Sequence, residues 1–316
     1  MTILFSGAVS TRHQDRLQAD FPTETFIFRD TMTEAQPFLS EAKVLVTYGE
    51  DLTPELMGQA VQLEWIMVMS AGLERMPFKA IEEKQVRVTN ARGIHKVPMG
   101  EYTISMLLQT YRQEKLISEN EGNQIWDKTV RVKEITGKTI LIVGAGAIGE
   151  EIARLAKAFQ MKTWGISRSG RSVKHFDVNE PMENLHTLLP DADFIVSVLP
   201  STVETQHVFT EKEFKLMSEQ AVFMNIGRGQ AVKSEDLLIA IQQEEIAHAI
   251  LDVFETEPLP AEHPFWLEKN ITVTPHISGV SSEYVTRALE IFTENLRVYQ
   301  AEENTYLNEI DTNRGY

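Results

Sequence analysis

Cysteine is absent from the 316 residues, which removes disulfides, thiolate nucleophiles, zinc–thiolate sites and iron–sulfur clusters, and no other metal site suggests itself. Positive charge is scarce as well, since 30 lysines and arginines stand against 46 acidic residues and leave a net charge of −16. Such a surface repels the phosphate backbone of nucleic acid and anionic lipid heads, so neither is an expected partner. Long apolar runs are also missing. A membrane span needs roughly 18 apolar residues, and the stretch from Trp65 to Leu73 is short and broken by Ser70. Met1 to Phe5 has no basic residue ahead of a long apolar core, so it reads as a first strand and not as a signal peptide. A cytoplasmic protein is expected. There is no low-complexity segment.

What is present is ordinary for a globular chain, at 42% hydrophobic and 24% charged residues. A single core stops growing at roughly 250–300 residues, so two domains are expected. Short apolar runs alternate with helix-compatible segments: Ile3–Phe5, Thr25–Phe28, Val44–Thr47, Trp65–Met69 and Val86–Val88, then a helix from Glu101 to Arg112 behind Pro98. A second series follows at Thr139–Val143, Thr163–Ile166, Phe194–Val198, Ala221–Asn225, Ala249–Leu251 and Ile271–Val273. This alternation predicts an α/β protein with parallel sheets and crossover helices, repeated once. Val285, Leu289, Phe292, Leu296 and Tyr299 form the apolar stripe of a closing helix, with Ser281-Ser282-Glu283 as its capping and first-turn residues.

Chemistry concentrates in the second series. Gly144-Ala145-Gly146-Ala147-Ile148-Gly149 follows an apolar strand and opens an amphipathic helix. In a dinucleotide site Gly144 permits the tight turn, Gly146 lets backbone N–H groups approach the pyrophosphate, and Gly149 lets helix and strand pack closely. About 20 residues onward an NAD site usually places an acid for the ribose 2′-hydroxyl. Here Ser167-Arg168-Ser169-Gly170-Arg171 stands instead. Hydroxyls and guanidinium groups can bind and neutralise a 2′-phosphate, which favours NADP with NAD as the other option; the bland alternative is a solvated polar turn. Arg228, Glu257 and His276 each lie just beyond a predicted strand, where an open α/β sheet lines its ligand crevice. Taken singly, an exposed arginine or a histidine is more often solvated or structural.

Together these residues resemble the D-isomer-specific 2-hydroxyacid dehydrogenases. The likeness runs from Gly137 to Gly279 through the glycine loop, Asn225-Ile226-Gly227-Arg228-Gly229, Leu251-Asp252-Val253-Phe254 leading to Glu257-Pro258-Leu259-Pro260, and Thr274-Pro275-His276-Ile277-Ser278-Gly279. Ser70-Ala71-Gly72-Leu73 and Gly93-Ile94-His95 with Glu101 extend it over nearly the whole chain. The resemblance implies two Rossmann-like or flavodoxin-like domains: a discontinuous substrate domain of residues 1–96 and 281–316, and a dinucleotide domain of residues 97–280. It also implies that Arg228 binds the substrate carboxylate and carbonyl, His276 is the acid/base, Glu257 orients and charges it, and Ala71, Gly72 and Leu73 offer N–H groups to the carboxylate. Cofactor contacts implied alongside Gly144, Gly146, Ala147, Ile148, Gly149, Ser167, Arg168 and Ser169 are Leu199, Pro200, Thr205, Ile226, Gly227, Arg228, Asp252, His276 and Gly279. A homodimer through the cofactor domain is implied too.

Arginines in the turn after the second strand are similar to those of glyoxylate and hydroxypyruvate reductases. The expected activity is therefore reduction of a small 2-keto acid to the D-2-hydroxy acid. The chain stops at Tyr316 without an additional regulatory domain, which weakens a phosphoglycerate dehydrogenase reading and leaves its short forms open. Trp126 or Trp266 could wall the pocket or simply pack. The alternative from another class is a non-enzymatic nucleotide sensor resembling the C-terminal-binding corepressors.

Overall fold

The computed structural model describes residues 1–70, 72–73 and 75–312. The chain divides into two compact units, one of Met1–Ile94 with the segment from Ser281 onward, the other of His95–Val280.

In the first unit β1 (Thr2–Ser6), β2 (Thr25–Arg29), β3 (Val44–Thr47), β4 (Trp65–Val68) and β5 (Arg87–Asn90) form a parallel sheet in the order β2-β1-β3-β4-β5. This is the flavodoxin-like order. Its central strands are apolar along their length because both faces are covered. Leu39, Met57 and Ile81 cover one face, and Ala288, Phe292 and Leu296 of the helix Tyr284–Gln300 cover the other. Phe292 stacks on Trp65 at 5.5 Å and meets Phe5 edge-on at 5.6 Å between ring centroids. The stripe read from the sequence therefore has its sheet. Its opening differs from expectation: Glu283 precedes the helix without capping it, while the Ser281 hydroxyl accepts from the Glu283 N–H at 3.1 Å and from Arg287 at 3.2 Å. β5 also lies further along than Val86–Val88. Thr89 and Asn90 hide its end in a polar sequence, yet the Thr89 hydroxyl is buried and accepts from the Trp65 indole at 2.9 Å.

In the second unit β6 (Thr139–Val143), β7 (Lys162–Ser167), β8 (Val178–Pro181), β9 (Phe194–Ser197), β10 (Val222–Asn225), β11 (His248–Leu251) and β12 (Ile271–Val273) are all parallel, in the order β12-β11-β10-β9-β6-β7-β8. The direction of winding reverses between β6 and β9. Outside the carboxyl ends at such a reversal an open sheet forms its ligand crevice. β8 is polar and ends in Pro181, which hides it in the sequence and is tolerated because it is an edge strand. The helix read from Glu101 begins at Lys96, so Pro98 falls in its first turn, where a missing N–H leaves no bond unmade. Among the described residues no helix is long and apolar enough to cross a membrane.

Candidate active site

The glycine loop leaves β6, whose five residues are buried, and enters the helix Ala147–Ala158. Gly144 has φ +115°, and a Cβ there would lie 2.7 Å from the Val198 carbonyl oxygen. A Cβ on Gly149 would collide with the Gly144 carbonyl. Gly146, the residue before the helix, has nothing within 4 Å of where a Cβ would be, and it is exposed with Ala147. Two glycines are thus required by the fold itself, while the third leaves open space in front of the unpaired N–H groups of a helix N-terminus. That space and its polarity fit a dinucleotide pyrophosphate. Opposite, Gly227 packs so that a Cβ would lie 2.5 Å from the Leu199 carbonyl oxygen, which brings Leu199 and Ile226-Gly227 together. The Thr205 hydroxyl is spent on shaping this neighbourhood, donating to the Pro200 carbonyl at 2.6 Å.

The turn after β7 exposes Arg168, Ser169 and Arg171. Ser167 is partly buried and its Oγ accepts from the Gly170 N–H at 3.1 Å, Gly170 having φ +64°. Arg171 Nε donates to Ser169 Oγ at 3.3 Å.

Register carries the other candidate residues. Asn225, Leu251 and Val273 stand side by side on β10, β11 and β12, so the segments beyond them leave the sheet together. Arg228 follows β10 and is exposed, its Nη1 donating to the Gly227 carbonyl at 2.8 Å. Asn225 holds that corner from both sides: its Oδ1 accepts from Gly227 N–H at 3.2 Å and its Nδ2 donates to the Arg228 carbonyl at 3.0 Å. Glu257 follows β11. One of its oxygens accepts from the Phe254 N–H at 3.0 Å and the other contacts His276 Nδ1 at 2.8 Å. His276 has φ +54°, a left-handed conformation held by its N–H bonding to the Asp252 carbonyl at 2.9 Å. About half of the imidazole side chain, 51%, remains accessible. The pair therefore presents a ring held at Nδ1 and half open to solvent.

Asp252 is fully buried and anchors the histidine segment, its carboxylate accepting from Ile277 N–H at 2.9 Å, Ser278 N–H at 2.9 Å and the Thr274 hydroxyl at 2.6 Å. Since the Thr274 proton points at Asp252, its oxygen must accept from the Tyr102 hydroxyl, 2.7 Å away. Burial pushes that phenol well above the usual tyrosine range, so it stays protonated and donates. Tyr102 is a contributor that sequence reasoning passes over, while Asn225 and Thr274 were read only as motif members without a role of their own. The Asn225 side chain bonds to Gly227 and Arg228 beside it, whereas Thr274 meets Asp252, 22 residues away, and Tyr102, 172 residues away. Gly279 lies against the His95 ring, whose Nδ1 is 3.2 Å from the Gly279 carbonyl.

Ser70, Gly72 and Leu73 belong to the first unit, where the Ser70 hydroxyl is 2.8 Å from the Gly72 carbonyl and Leu73 is buried in the core. Ala71 lies outside the described residues. Trp266 donates from its indole N–H to the Pro260 carbonyl at 2.9 Å, joining the turn after Glu257, whereas Trp126 is 87% exposed.

Residues 104–278 match the family described as D-isomer specific 2-hydroxyacid dehydrogenase, NAD binding domain. The chain belongs to the D-isomer specific 2-hydroxyacid dehydrogenase family. The dehydrogenase is 31% identical to a glyoxylate reductase of Aeropyrum pernix over 81% of this chain and 79% of that protein. A family member of known structure from Aeromonas salmonicida is 33% identical, with a TM-score of 0.85 over 98% of this chain and 99% of the other. An NADPH-dependent glyoxylate/hydroxypyruvate reductase from Sinorhizobium meliloti, solved with NADP and sulfate, is 25% identical, with a TM-score of 0.77 over 100% of this chain and 99% of its own. The expectations of family, of two parallel-sheet α/β domains and of an oxidoreductase are borne out. Relatives named as reductases favour the dehydrogenase over the corepressor alternative.

Proposed function

We propose that this dehydrogenase reduces a small 2-keto acid of the glyoxylate or hydroxypyruvate kind to the D-2-hydroxy acid, with NADPH as the preferred reductant and NADH as a weaker one. The observation that carries the reading is the emergence of Arg228 and the Glu257–His276 pair from adjacent strand ends, in the sheet that also bears the glycine cradle. When bound, the reduced nicotinamide supplies the hydride to the 2-carbonyl carbon. His276 supplies the proton. Because the Glu257 carboxylate occupies Nδ1, the transferable proton is the one on Nε2, and the neutral ring left afterwards keeps its Nδ1–H toward Glu257. Arg228 holds the carboxylate and carbonyl oxygens with a planar fork that also fixes which face of the carbonyl is presented. Gly146 and the first N–H groups of the following helix, from Ala147 and Ile148, hold the pyrophosphate. Ser167, Arg168 and Ser169 take the 2′-phosphate.

The names and ligands of the A. pernix and S. meliloti relatives support this substrate class and cofactor. We also assign a homodimer, supported by Ile125 and Trp126, which expose 54% and 87% of their surface beyond the helix Glu114–Gly122. Steady-state NADPH oxidation with glyoxylate, hydroxypyruvate, pyruvate and bulkier 2-keto acids tests the activity. Faster turnover of the first two is expected, and no turnover of any overturns it. Light scattering at micromolar concentration tests the dimer, which a monomer mass overturns.

A further inference from the structure

We propose that Asn179 is the residue that makes Ser167 a hydrogen donor and thereby sets the preference for a 2′-phosphate over a 2′-hydroxyl; this rests on the NADPH reading above. Asn179 sits on the edge strand β8, directly beside Gly165 of β7. A side chain at Gly165 would strike the Asn179 amide and come within 2.8 Å of the Phe176 ring, so glycine in that strand makes the room that Asn179 fills. From there the amide reaches both ends of the exposed turn. Its Nδ2 donates to Ser167 Oγ at 3.0 Å and to the Arg171 carbonyl. The Arg171 contact fixes which way the amide points, because two carbonyl oxygens would repel. The buried Oδ1 has no partner among the described residues, a cost accepted where the NH₂ end is required.

The consequence falls on Ser167. A hydroxyl has two lone pairs and one proton. Gly170 N–H and Asn179 Nδ2 use both lone pairs, at 3.1 and 3.0 Å. What remains is the proton, for which no acceptor is present among the described residues. A group that can only donate suits a phosphate oxygen, whereas the acid found here in NAD sites must accept from the ribose hydroxyl. Asn179 also ties down the backbone of Arg171, and Arg171 Nε in turn meets Ser169. One amide thus orders the turn and selects the polarity of its hydroxyl.

The test compares wild type, Asn179→Ala and Asn179→Asp by isothermal titration with adenosine 2′,5′-bisphosphate and with adenosine 5′-phosphate, beside thermal midpoints. Asn179→Asp keeps the shape but accepts the Ser167 proton and adds a negative charge. It should weaken the bisphosphate roughly 100-fold, and Asn179→Ala about tenfold, with the monophosphate changed less than about twofold. Equal weakening of both ligands, or of neither, in a folded variant overturns the assignment of Asn179 alone. A wild-type protein that does not prefer the bisphosphate overturns the NADPH reading and this inference with it.

Discussion

At the scale of single residues the site works by removing choices from side chains. Asn225 holds the backbone of Arg228 through Gly227 N–H and the Arg228 carbonyl, and one guanidinium nitrogen donates to the Gly227 carbonyl. Arg228→Lys keeps the charge and loses the fork. Catalytic efficiency should fall roughly 100-fold while NADPH affinity, read by fluorescence, stays within about twofold; undiminished turnover would remove Arg228 from the mechanism. Glu257→Gln keeps the shape opposite His276 Nδ1 but removes the negative charge of the carboxylate that meets the ring at 2.8 Å. Keto-acid reduction at neutral pH should drop about tenfold, an effect a solvent-facing glutamate would not give. The positions of Arg228, Glu257 and His276 at strand ends were legible because each stands just past a run of β-formers, and the Glu257–His276 contact is what the structure adds. Tyr102 was not legible. Its hydroxyl bonds to Thr274, 172 residues away, and nothing in the local pattern around a helical tyrosine announces such a partner.

At the scale of elements, apolar strands declared themselves and polar ones did not. β6 is a continuous apolar run, whereas β8 and the end of β5 are polar and depend on neighbours for their conformation. β11 illustrates a strand that carries a titratable group inward. Burial, with a smaller contribution from Lys115, pushes the His248 imidazole down to about 4 from its ordinary 6.5, and Nε2 meets the Thr272 hydroxyl at 2.9 Å on β12. Between those values the unfolded chain binds more protons than the folded one. Stability is therefore full above pH 6.5 and lost as pH falls toward 4. The ceiling on the loss is roughly 3 kcal/mol. His248→Gln should flatten that dependence, so urea midpoints between about pH 7.5 and 5 should fall less than in wild type; parallel curves would mean that His248 is not responsible. The helix Tyr284–Gln300 offers a packing counterpart. Phe292 has no accessible surface and touches both Trp65 and Phe5. Phe292→Ala should destabilise the first unit by about 3–5 kcal/mol, with little change in NADPH binding by the second; a loss under about 1 kcal/mol would contradict the packing.

At the scale of the molecule, a net charge of −16 acts on every part of the chain at once. The screening length shrinks from about 30 Å at 0.01 M salt to about 8 Å at 0.15 M. Raising salt across that range should therefore raise the thermal midpoint by a few degrees, and a fall would mean that specific ion pairs outweigh the general repulsion. The way the first unit is put together reaches further, into the order of synthesis. Its sheet is complete once the ribosome has passed Asn90, but Ala288, Phe292 and Leu296, which cover Trp65 and Phe5, are made only after the whole of His95–Val280. At about 5–20 residues per second the early sheet waits roughly ten to forty seconds with an aromatic face bare. The contiguous second unit can mature in that interval, so the part of the chain made first is the part that finishes folding last, and its unclothed face is where a nascent-chain chaperone would be expected to bind.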